Sequence, residues 1–452
     1  MRGWKMVPVL LVLLFTASTS FAAGFRLPEA GAKAMGMGFA FTAQADDPSA
    51  IYFNPAGILQ LKGQNIMVGG TYVRENGGEF TGRTPVDNTT AIKNETQKSL
   101  NFFIPNAYYT KTTPDGYFAY GVGIFAPFGL GQEYGNANTS IFRNQITKID
   151  LQTIVVNPTI AFKVNEYLNV GVGIDWMYAK AKLNKTPVNL GIGDNTAGGN
   201  NNLYQSALEA DGNAWGYNFG LQLIPSKNVR VGFNFRSPFS MSFKDGDVDL
   251  SDISTAGRAA LGGASVSQAF FLGATSYHTN GSTVIKMPAT AALGVAYTFE
   301  KLTVEVDADW TFWHSFSNLA IDIAVPKPPV LASTDTPKEW KDVCAIRVGL
   351  EYRVTDPLAL RAGFVYDPSP VPANTMGPEL PDSDRLNYMV GVGYKIGPWT
   401  IDVAGMYIDK KDRTVNNQSV PPISASGTPG AGFNGTWTGN AWLAGLDVGY
   451  KF

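Results

Sequence analysis

The final twelve residues of the chain, AWLAGLDVGYKF, alternate apolar side chains with small or polar ones without interruption. Successive side chains of a β-strand point to opposite faces, so Trp442, Leu446 and Phe452 share one face while Asp447 and Lys451 share the other. One apolar and one polar face are typical of a barrel strand whose apolar side meets lipid. A half-buried strand of a soluble sheet gives the same pattern, so the rest of the chain has to separate the two interpretations.

The first 22 residues are typical of a secretory signal peptide. Two basic residues come first, an apolar run follows from position 7 to 15, and small residues precede a predicted cleavage site between Ala22 and Ala23. The apolar run is too short to cross a bilayer as a helix. The sequence therefore predicts export, with a mature chain that starts at Ala23.

Composition favours a large all-β protein. The 452 residues include 49 glycines, 12% aromatic residues and only 16% charged residues. After the signal peptide no apolar run reaches the length of a membrane-spanning helix. A formal net charge of -2 gives no reason to expect a nucleic acid partner, and the single cysteine, Cys344, excludes an internal disulfide framework and a thiolate metal cluster.

Alternating segments recur along the whole chain and are separated by connections that are short and long in turn. The short ones, such as Glu300 with Lys301 and Gly397 with Pro398, are predicted tight turns on the periplasmic side. Fourteen such strands predict a closed antiparallel transmembrane β-barrel, because bacterial barrels have an even number of strands. The predicted strands cover residues 64–73, 99–111, 117–126, 151–163, 168–183, 213–224, 229–243, 284–299, 302–313, 341–354, 358–367, 385–396, 399–409 and 440–452.

One strand predicts what the inside of this barrel contains. From Leu302 onward, apolar residues occupy one face, and Glu305, Asp307 and Asp309 occupy the other. Three carboxylates are not expected in a dry core without partners, whereas a wet lumen with basic residues on neighbouring strands accepts them. A solvated face of a soluble sheet would accept them as well.

Residues 23–63 are predicted to form a plug, or hatch, inside the barrel. They precede the first strand, are rich in glycine and alanine, and carry Met35, Met37, Phe39 and Phe41. A stretch this apolar is expected to be buried. A lumen fourteen strands wide is too large to be filled by the side chains of the barrel itself, so it offers a place for the stretch. A disordered periplasmic tail is the alternative, which the apolar content disfavours.

Several stretches resemble the family of outer-membrane long-chain fatty acid transporters of the FadL type, which also includes channels for toluene and related hydrocarbons. They include AGFRLPEAG at the mature start, ADDPSAIYFNPAGI with the hatch motif Asn54, Pro55 and Ala56, VGFNFRSPFSMSFKDG, and PDSDRLNYMVGVGY. The resemblance runs from the plug to the last strand. It implies a monomeric fourteen-stranded barrel with an N-terminal hatch, in the outer membrane of a Gram-negative cell.

The resemblance also implies a mechanism. Ligand is captured between long extracellular loops, moves to a pocket beside the hatch and leaves sideways through a gap in the barrel wall, without an energy source or cofactor. A sideways exit delivers a hydrophobic molecule straight to lipid. The implied partners are a fatty acid or hydrocarbon, outer-membrane lipid, lipopolysaccharide, and the barrel-assembly machinery, for which Tyr450 and Phe452 would be the assembly signal.

The third predicted strand ends in IFAPFGLG, where we expect this lateral opening. Pro127 removes a hydrogen-bond donor from the strand, and Gly129 weakens pairing beyond it. The inward bend of the third strand in the family falls at a similar position. The alternative is a proline that only ends the strand at the rim.

The predicted inner ligand pocket contains Phe25, Phe125, Phe128 and Lys185. Lys185 is similar in position to a basic residue that the family uses near the ligand carboxylate, and an ordinary loop lysine is the alternative. A second family cation is replaced here by Ala320, which leaves room for a neutral hydrocarbon ligand.

The loops at residues 186–212 and 244–283 are expected to form an outer groove. Exposed apolar residues of the second loop would bind ligand there, pack on each other, or do both. The candidates are Leu261, Phe270, Phe271 and Leu272.

The predicted function is passive uptake of long-chain fatty acids or related hydrocarbons. A channel for monoaromatic hydrocarbons is the first alternative, and a general diffusion porin, which has no need of a plug, is the second. No metal site is expected. An enzyme is not expected either, because the two histidines, His278 and His314, lie in a long loop and at a strand end, without a nucleophile on the same face.

Overall fold

The computed structural model describes most of the mature chain. The predicted signal peptide lies outside the described residues, and so do the four outer-groove candidates, Leu261, Phe270, Phe271 and Leu272. The described residues are 24–83, 92–135, 140–143, 145–186, 204–252, 277–325, 333–416 and 433–452.

The strands form one continuous sheet that closes on itself. The first strand pairs antiparallel with the last, with Asn65 opposite Lys451 and Glu75 opposite Ala441, so the sheet has no open edge along this seam. The strands are β1 (Gln64–Glu75), β2 (Glu79–Arg83), β3 (Lys93–Thr96), β4 (Leu100–Thr112), β5 (Phe118–Phe125), β6 (Gly129–Glu133), β7 (Lys148–Lys163), β8 (Leu168–Lys185), β9 (Tyr204–Ser226), β10 (Val229–Arg236), β11 (Phe239–Asp252), β12 (Tyr277–Met287), β13 (Thr290–Phe299), β14 (Leu302–Thr311), β15 (Asn318–Ile323), β16 (Thr334–Pro337), β17 (Val343–Arg353), β18 (Leu358–Asp367), β19 (Arg385–Ile396), β20 (Trp399–Asn416) and β21 (Asn434–Lys451).

Within the described residues these twenty-one strands follow one another along fourteen barrel strands, because the first, second, third, seventh, eighth, ninth and tenth are each broken into two segments. Every barrel strand runs antiparallel to its neighbours. The predicted fold, a closed fourteen-stranded antiparallel barrel, is confirmed. The predicted tight turns at Glu300 with Lys301 and at Gly397 with Pro398 join adjacent strands as expected.

The predicted faces of the strands are also confirmed. Along β8, Val172 and Ile174 are exposed on the outside while Asp175 is buried inside. Along the last strand, Trp442 and Leu446 are exposed and Asp447 is buried. The apolar side chains therefore form the lipid-facing surface of the barrel, and the polar ones point into the lumen.

On the side of the long connections the strands extend beyond their predicted ends. β9 begins at Tyr204, β11 continues to Asp252 and β12 begins at Tyr277, so parts of the predicted loops at 186–212 and 244–283 are strand. The prediction ended each strand where the apolar alternation ends. Backbone hydrogen bonds between strands need no apolar side chain, so polar segments pair beyond the lipid-facing band as well.

Residues 24–63, called the inner segment below, lie inside the ring of strands. The segment contains two short helices, Ala32–Gly36 and Ala50–Phe53, and a 3-10 helix, Pro55–Gln60. Nearly all of its side chains are buried. Among the described residues, no helix has the length and apolarity needed to cross a bilayer.

Glycines of the barrel wall show that the inner segment approaches strands on every side. A Cβ atom added to any of these glycines would meet atoms of the segment at or below van der Waals distance. The pairs are Gly123 with Ile51, Gly171 and Gly220 with Pro55, Gly232 with Thr42, Gly349 with Met37, Gly363 with Gly38, and Gly445 with Met35. They belong to the third, fifth, sixth, seventh, tenth, eleventh and fourteenth barrel strands. Only a segment that occupies the lumen can touch strands all around the ring.

A side chain at position 363 is expected to displace the inner segment. A Cβ atom there would overlap the backbone of Gly38, so Gly363→Val should raise the ion conductance of the purified barrel in planar bilayers. Gly405→Val is the matched control, because a Cβ atom at Gly405 meets nothing within 4 Å. If an inserted Gly363→Val barrel conducts no more than this control, the inner segment does not close the lumen.

Candidate functional site

The third barrel strand is broken between β5 and β6, at residues 126–128. Its pairing with the second barrel strand stops at Ala107 opposite Ile124. Within described residues 92–135, the next backbone hydrogen bond between the two strands joins Lys98 N to Glu133 O at 2.8 Å. The hydrogen-bond ladder of the wall therefore has a gap at the position where the sequence predicts a lateral opening.

The start of the inner segment completes the broken strand. Leu27 N donates to Pro127 O and Gly129 N donates to Phe25 O, both at 2.8 Å, and a β-bridge forms between these two bonds. The inner segment thus satisfies backbone groups that the second barrel strand leaves without a partner. A movement of the first described residues has to break these bonds.

Aromatic rings surround this junction. The ring of Phe25 packs against those of Phe128 at 6.0 Å, Trp313 at 4.6 Å, and Phe316 and Trp340 at 5.5 Å each, measured between ring centroids. The structure therefore brings two of the predicted pocket residues, Phe25 and Phe128, into contact. The other three rings were not predicted, because Phe316 and Trp340 lie outside the predicted strands, and the alternation that places Trp313 on the lumen face does not indicate which rings it meets.

A cavity of ≈ 20 Å³ lies between the broken strand and the inner segment. This volume holds about one water molecule, so a long-chain ligand cannot enter it unless the inner segment moves. The lining includes Arg26, Arg236 and Arg347. Phe125, the third predicted aromatic residue of the pocket, lies beside this cavity, with the guanidinium of Arg236 5.0 Å from its ring centroid.

These three arginines share two carboxylate partners. Asp309 accepts hydrogen bonds from Arg26 at 2.7 and 2.9 Å and lies 2.7 Å from Arg347, while Asp175 binds Arg236 at 2.5 Å. Asp367 lines the adjoining space together with Arg26 and Arg347, and Asp307 lies opposite Arg347, so these arginines carry no surplus of charge over the acidic side chains around them.

Two more carboxylates of the ninth barrel strand hold the backbone of the inner segment. Asp307 accepts from the amides of Phe41 and Thr42, both at 3.0 Å. Glu305 accepts from the amides of Ala43 and Gln44 at 2.6 and 2.9 Å. Both side chains are buried. The expectation that they lie in a wet lumen is wrong, because polypeptide takes the place of water around them.

The hatch motif ties the inner segment to the fifth and sixth barrel strands. The amide of Asn54 donates to Thr42 O at 2.7 Å and to Leu221 O at 2.8 Å, and its carbonyl accepts from Ala56 N at 3.2 Å. Pro55 and Ala56 rest on Gly171 of the fifth barrel strand. Asn54 therefore joins two parts of the segment to the sixth barrel strand, as a side chain with both donors and acceptors can do.

Lys185 does not belong to the pocket predicted for it. Phe125 pairs with Val155, and Val155 pairs with Met177, which sets the height of the pocket on β8. Lys185 lies eight residues farther along that strand, a distance of about 26 Å. It is half-buried beside the connection that contains Arg143, whose carbonyl accepts from Thr186 N at 2.7 Å. The position of Lys185 relative to the pocket could not be predicted from the sequence, because it depends on the register between three strands.

The remaining predicted residues lie away from the broken strand. Ala320 shares a face of β15 with the exposed Asn318 and Asp322, so it points outward, and the absence of a cation there does not change the pocket. Tyr450 and Phe452 lie at the end of the last strand, with ring centroids 4.8 Å apart. Within the described part of the chain, no group of histidine, cysteine, aspartate or glutamate residues is arranged to hold a metal ion.

A closed fourteen-stranded barrel with a filled lumen and a broken third strand also agrees with comparisons to known proteins. The family model of outer membrane protein transport proteins (OMPP1/FadL/TodX) matches residues 13–452. The chain belongs to this family. The predictions of an outer-membrane location and of transport rather than catalysis are confirmed by this membership.

Similar proteins cover the chain almost completely. It is 26% identical to the long-chain fatty acid transport protein of Escherichia coli O6:H1 over 96% of each chain, and 25% identical to outer membrane protein P1 of Haemophilus influenzae over 100% of each. A crystal structure of a Pseudomonas aeruginosa FadL homologue has a TM-score of 0.76 at 20% identity, covering 95% of this chain and 100% of that one. The Ralstonia pickettii toluene transporter TbuX has a TM-score of 0.64 at 18% identity, with 94% and 99% covered. These two structures support the fold.

Neutralising Asp309 should loosen the start of the inner segment. Asp309→Asn leaves Arg26 and Arg347 buried without their carboxylate, a change that costs about 3–5 kcal/mol when one partner of a buried pair is removed. We expect faster hydrogen exchange at the amides of Leu27 and Gly129. Asp342→Asn, which removes a carboxylate on the exposed His314, is the control. Unchanged exchange in Asp309→Asn would show that the ion pairs do not hold the segment.

The stability of the inner segment in its position inside the barrel should also depend on pH, through Glu29. Burial raises the pKa of Glu29 from 4.5 to about 8, against the opposing charges of Arg347 and Arg385. Between these two values the seated segment binds more protons than a released one, so its stability falls as the pH rises from about 4.5 to about 8. Leak conductance should therefore increase from pH 6 to pH 8.5. The increase should be smaller in Glu29→Gln, and an equal increase in both proteins would contradict this role of Glu29.

Proposed function

We propose that this protein carries long-chain fatty acids across the outer membrane by passive diffusion, with residues 23–63 as a hatch and residues 64–452 as the barrel. The observation that carries the proposal is the gap in the third barrel strand, which is completed by the hatch and not by a neighbouring strand. A wall closed in this way opens when the hatch moves. The proposal includes removal of residues 1–22 as a signal peptide and a monomeric barrel inserted by the assembly machinery.

The proposed path begins at the outer loops and reaches the ring of Phe25. A ligand chain that replaces Phe25 among its aromatic neighbours pulls on Arg26 and Leu27, and so on the hydrogen bonds that fill the gap. Burying each methylene group of the ligand contributes about 0.8 kcal/mol. Six buried methylenes therefore supply about 5 kcal/mol, which is comparable to the cost of separating a buried ion pair such as Arg26 with Asp309.

Two features support a carboxylate ligand. The relative in Escherichia coli O6:H1 is named for long-chain fatty acid transport, and three arginines with guanidinium donors line the cavity. Arg26, Arg236 and Arg347 are the residues we propose to receive the ligand head, in place of Lys185. A monoaromatic hydrocarbon is the second candidate, because the four rings around Phe25 offer edge-to-face partners for an aromatic guest.

The lateral exit is tested by bridging the gap. If the ladder continued past Ala107 and Ile124, Pro105 would face Ala126. In a Cys344→Ser background, Pro105→Cys with Ala126→Cys is joined by a reducible bifunctional thiol reagent, in a bacterium that lacks its own fatty acid channel. We expect saturable uptake of labelled oleate before joining, a loss of about tenfold after joining, and recovery on reduction.

The matched control is the pair Tyr109→Cys and Val122→Cys, which face each other where the ladder is intact. Joining that pair should leave uptake unchanged. Uptake that is equally fast with the gap bridged would overturn the lateral exit while leaving transport in place. Absence of oleate uptake by an inserted, unjoined barrel would overturn the fatty acid proposal, and uptake of labelled toluene would then decide for the second candidate.

A further inference from the structure

A groove of ≈ 380 Å³ lies on the outer surface of the barrel, across the seventh, eighth and ninth barrel strands. Most of its lining consists of every second residue of three strand segments, which places these side chains on one face of the sheet. Exposure shows that this face is the outer one, since Val284 and Lys286 are exposed whereas Met287 is buried. The outward lining residues are Ser242, Lys244, Ser282, Val284, Lys286, Asn318, Ala320 and Asp322.

The groove lies on the extracellular side of the aromatic belt of the outer surface. Phe235, Ala291 and Trp310 face each other across three strands, and Trp310 is exposed. Below this row the ninth barrel strand presents an apolar band that includes Val306. Lys286 lies five residues beyond Ala291, about 17 Å along the strand. Aromatic belts mark the edge of the hydrocarbon layer, so the groove lies outside that layer, on its polar extracellular side.

The groove has depth because the pairing of two strands is interrupted behind it. The eighth and ninth barrel strands pair up to Thr290 opposite Thr311, and pairing resumes at Thr283 opposite Ile321. Between these points the ninth strand turns inward through the 3-10 helix Trp313–Ser315. The wall therefore has a recess in which a group larger than a single side chain fits.

Charged side chains of both signs lie along the groove. Lys244 and Lys286 lie on the seventh and eighth barrel strands, and Asp322 lies on the ninth. Asp335, opposite Ala320 on the tenth strand, accepts a hydrogen bond from Asn318 at 2.7 Å. Within the described part of the chain, neither lysine has a carboxylate within 4 Å. An occupant that satisfies both kinds of charge carries an anion for the lysines and a cation for the aspartates.

We propose that this groove binds a phosphate group of outer-leaflet lipopolysaccharide, together with the divalent cation that the phosphate carries. The lysines and the hydroxyls of Ser242 and Ser282 face the phosphate oxygens, and Asp322 faces the cation. The inference rests on the outer-membrane location of the barrel, and it is independent of the ligand that the barrel transports. The bound headgroup would cover a recess that otherwise opens towards the aromatic rings inside the wall.

The test measures binding of phosphorylated lipid A to the purified full-length barrel in nanodiscs with Mg²⁺, by native mass spectrometry. Each lysine near an anionic headgroup contributes about 1 kcal/mol, so Lys244→Ala with Lys286→Ala should weaken binding by about 30-fold. Lys227→Ala with Lys301→Ala, which removes two lysines from the short turns at the opposite end of the barrel, is the matched control. Heat-modifiable migration on a gel confirms that all variants are folded.

Four probes separate the possible sources of the anion: phosphorylated lipid A, dephosphorylated lipid A, inorganic phosphate and oleate. Phosphorylated lipid A should bind to the unchanged barrel. Dephosphorylated lipid A should bind to it as weakly as phosphorylated lipid A binds to the double lysine variant. Asp322→Asn should abolish the part of the affinity that depends on Mg²⁺. Equal affinity for the dephosphorylated lipid, or equal binding by both double variants, would overturn the proposal. A groove that is filled by inorganic phosphate alone, or by oleate in preference to lipid A, would overturn it as well.

Discussion

A ring of fourteen strands encloses a lumen that its own side chains cannot fill, and filling it with polypeptide brings backbone amides into a buried space where each needs an acceptor. Glu305 and Asp307 provide acceptors for four consecutive amides, those of residues 41–44. The carboxylates of the wall thus act as a template for the inner segment. Without them the segment would leave charged groups unpaired on one side and amides unpaired on the other, both of which are costly in a dry interior.

The same row of carboxylates reaches the gap in the wall. Asp309, two residues beyond Asp307, binds Arg26, and the residues on either side of Arg26 form the hydrogen bonds that complete the third barrel strand. Three consecutive residues therefore connect the aromatic cluster, the buried ion pairs and the gap. A displacement at Phe25 is transmitted by covalent connection, over one or two residues, and requires no extended chain of side-chain contacts.

Period-two patterns were sufficient to predict the number of strands and their faces, and Pro127 with Gly129 was sufficient to predict the position of the break, because these features depend on neighbouring residues along one strand. The apolar content of residues 23–63 was sufficient to predict a buried position. The partners of Glu305 and Asp307, the rings around Trp313 and the height of Lys185 could not be predicted in this way. The first two are contacts between segments far apart in sequence. The third depends on the register between neighbouring strands, where a slip by two residues changes the partner without changing the pattern.

The charges below the inner segment favour a sideways route over a direct one. A cavity of ≈ 670 Å³ separates the segment from the ends of the last strands, and its lining includes Lys33, Asp46, Glu351, Arg361 and Asp402, which form ion pairs with one another. An apolar chain that entered this polar space would gain no burial and would remove water from charged groups. The proposed exit through the gap in the third barrel strand would instead bring the same chain to lipid, where it keeps its transfer free energy. In this proposal the filled lumen and the broken strand act together, because the first blocks the polar route and the second provides an apolar one.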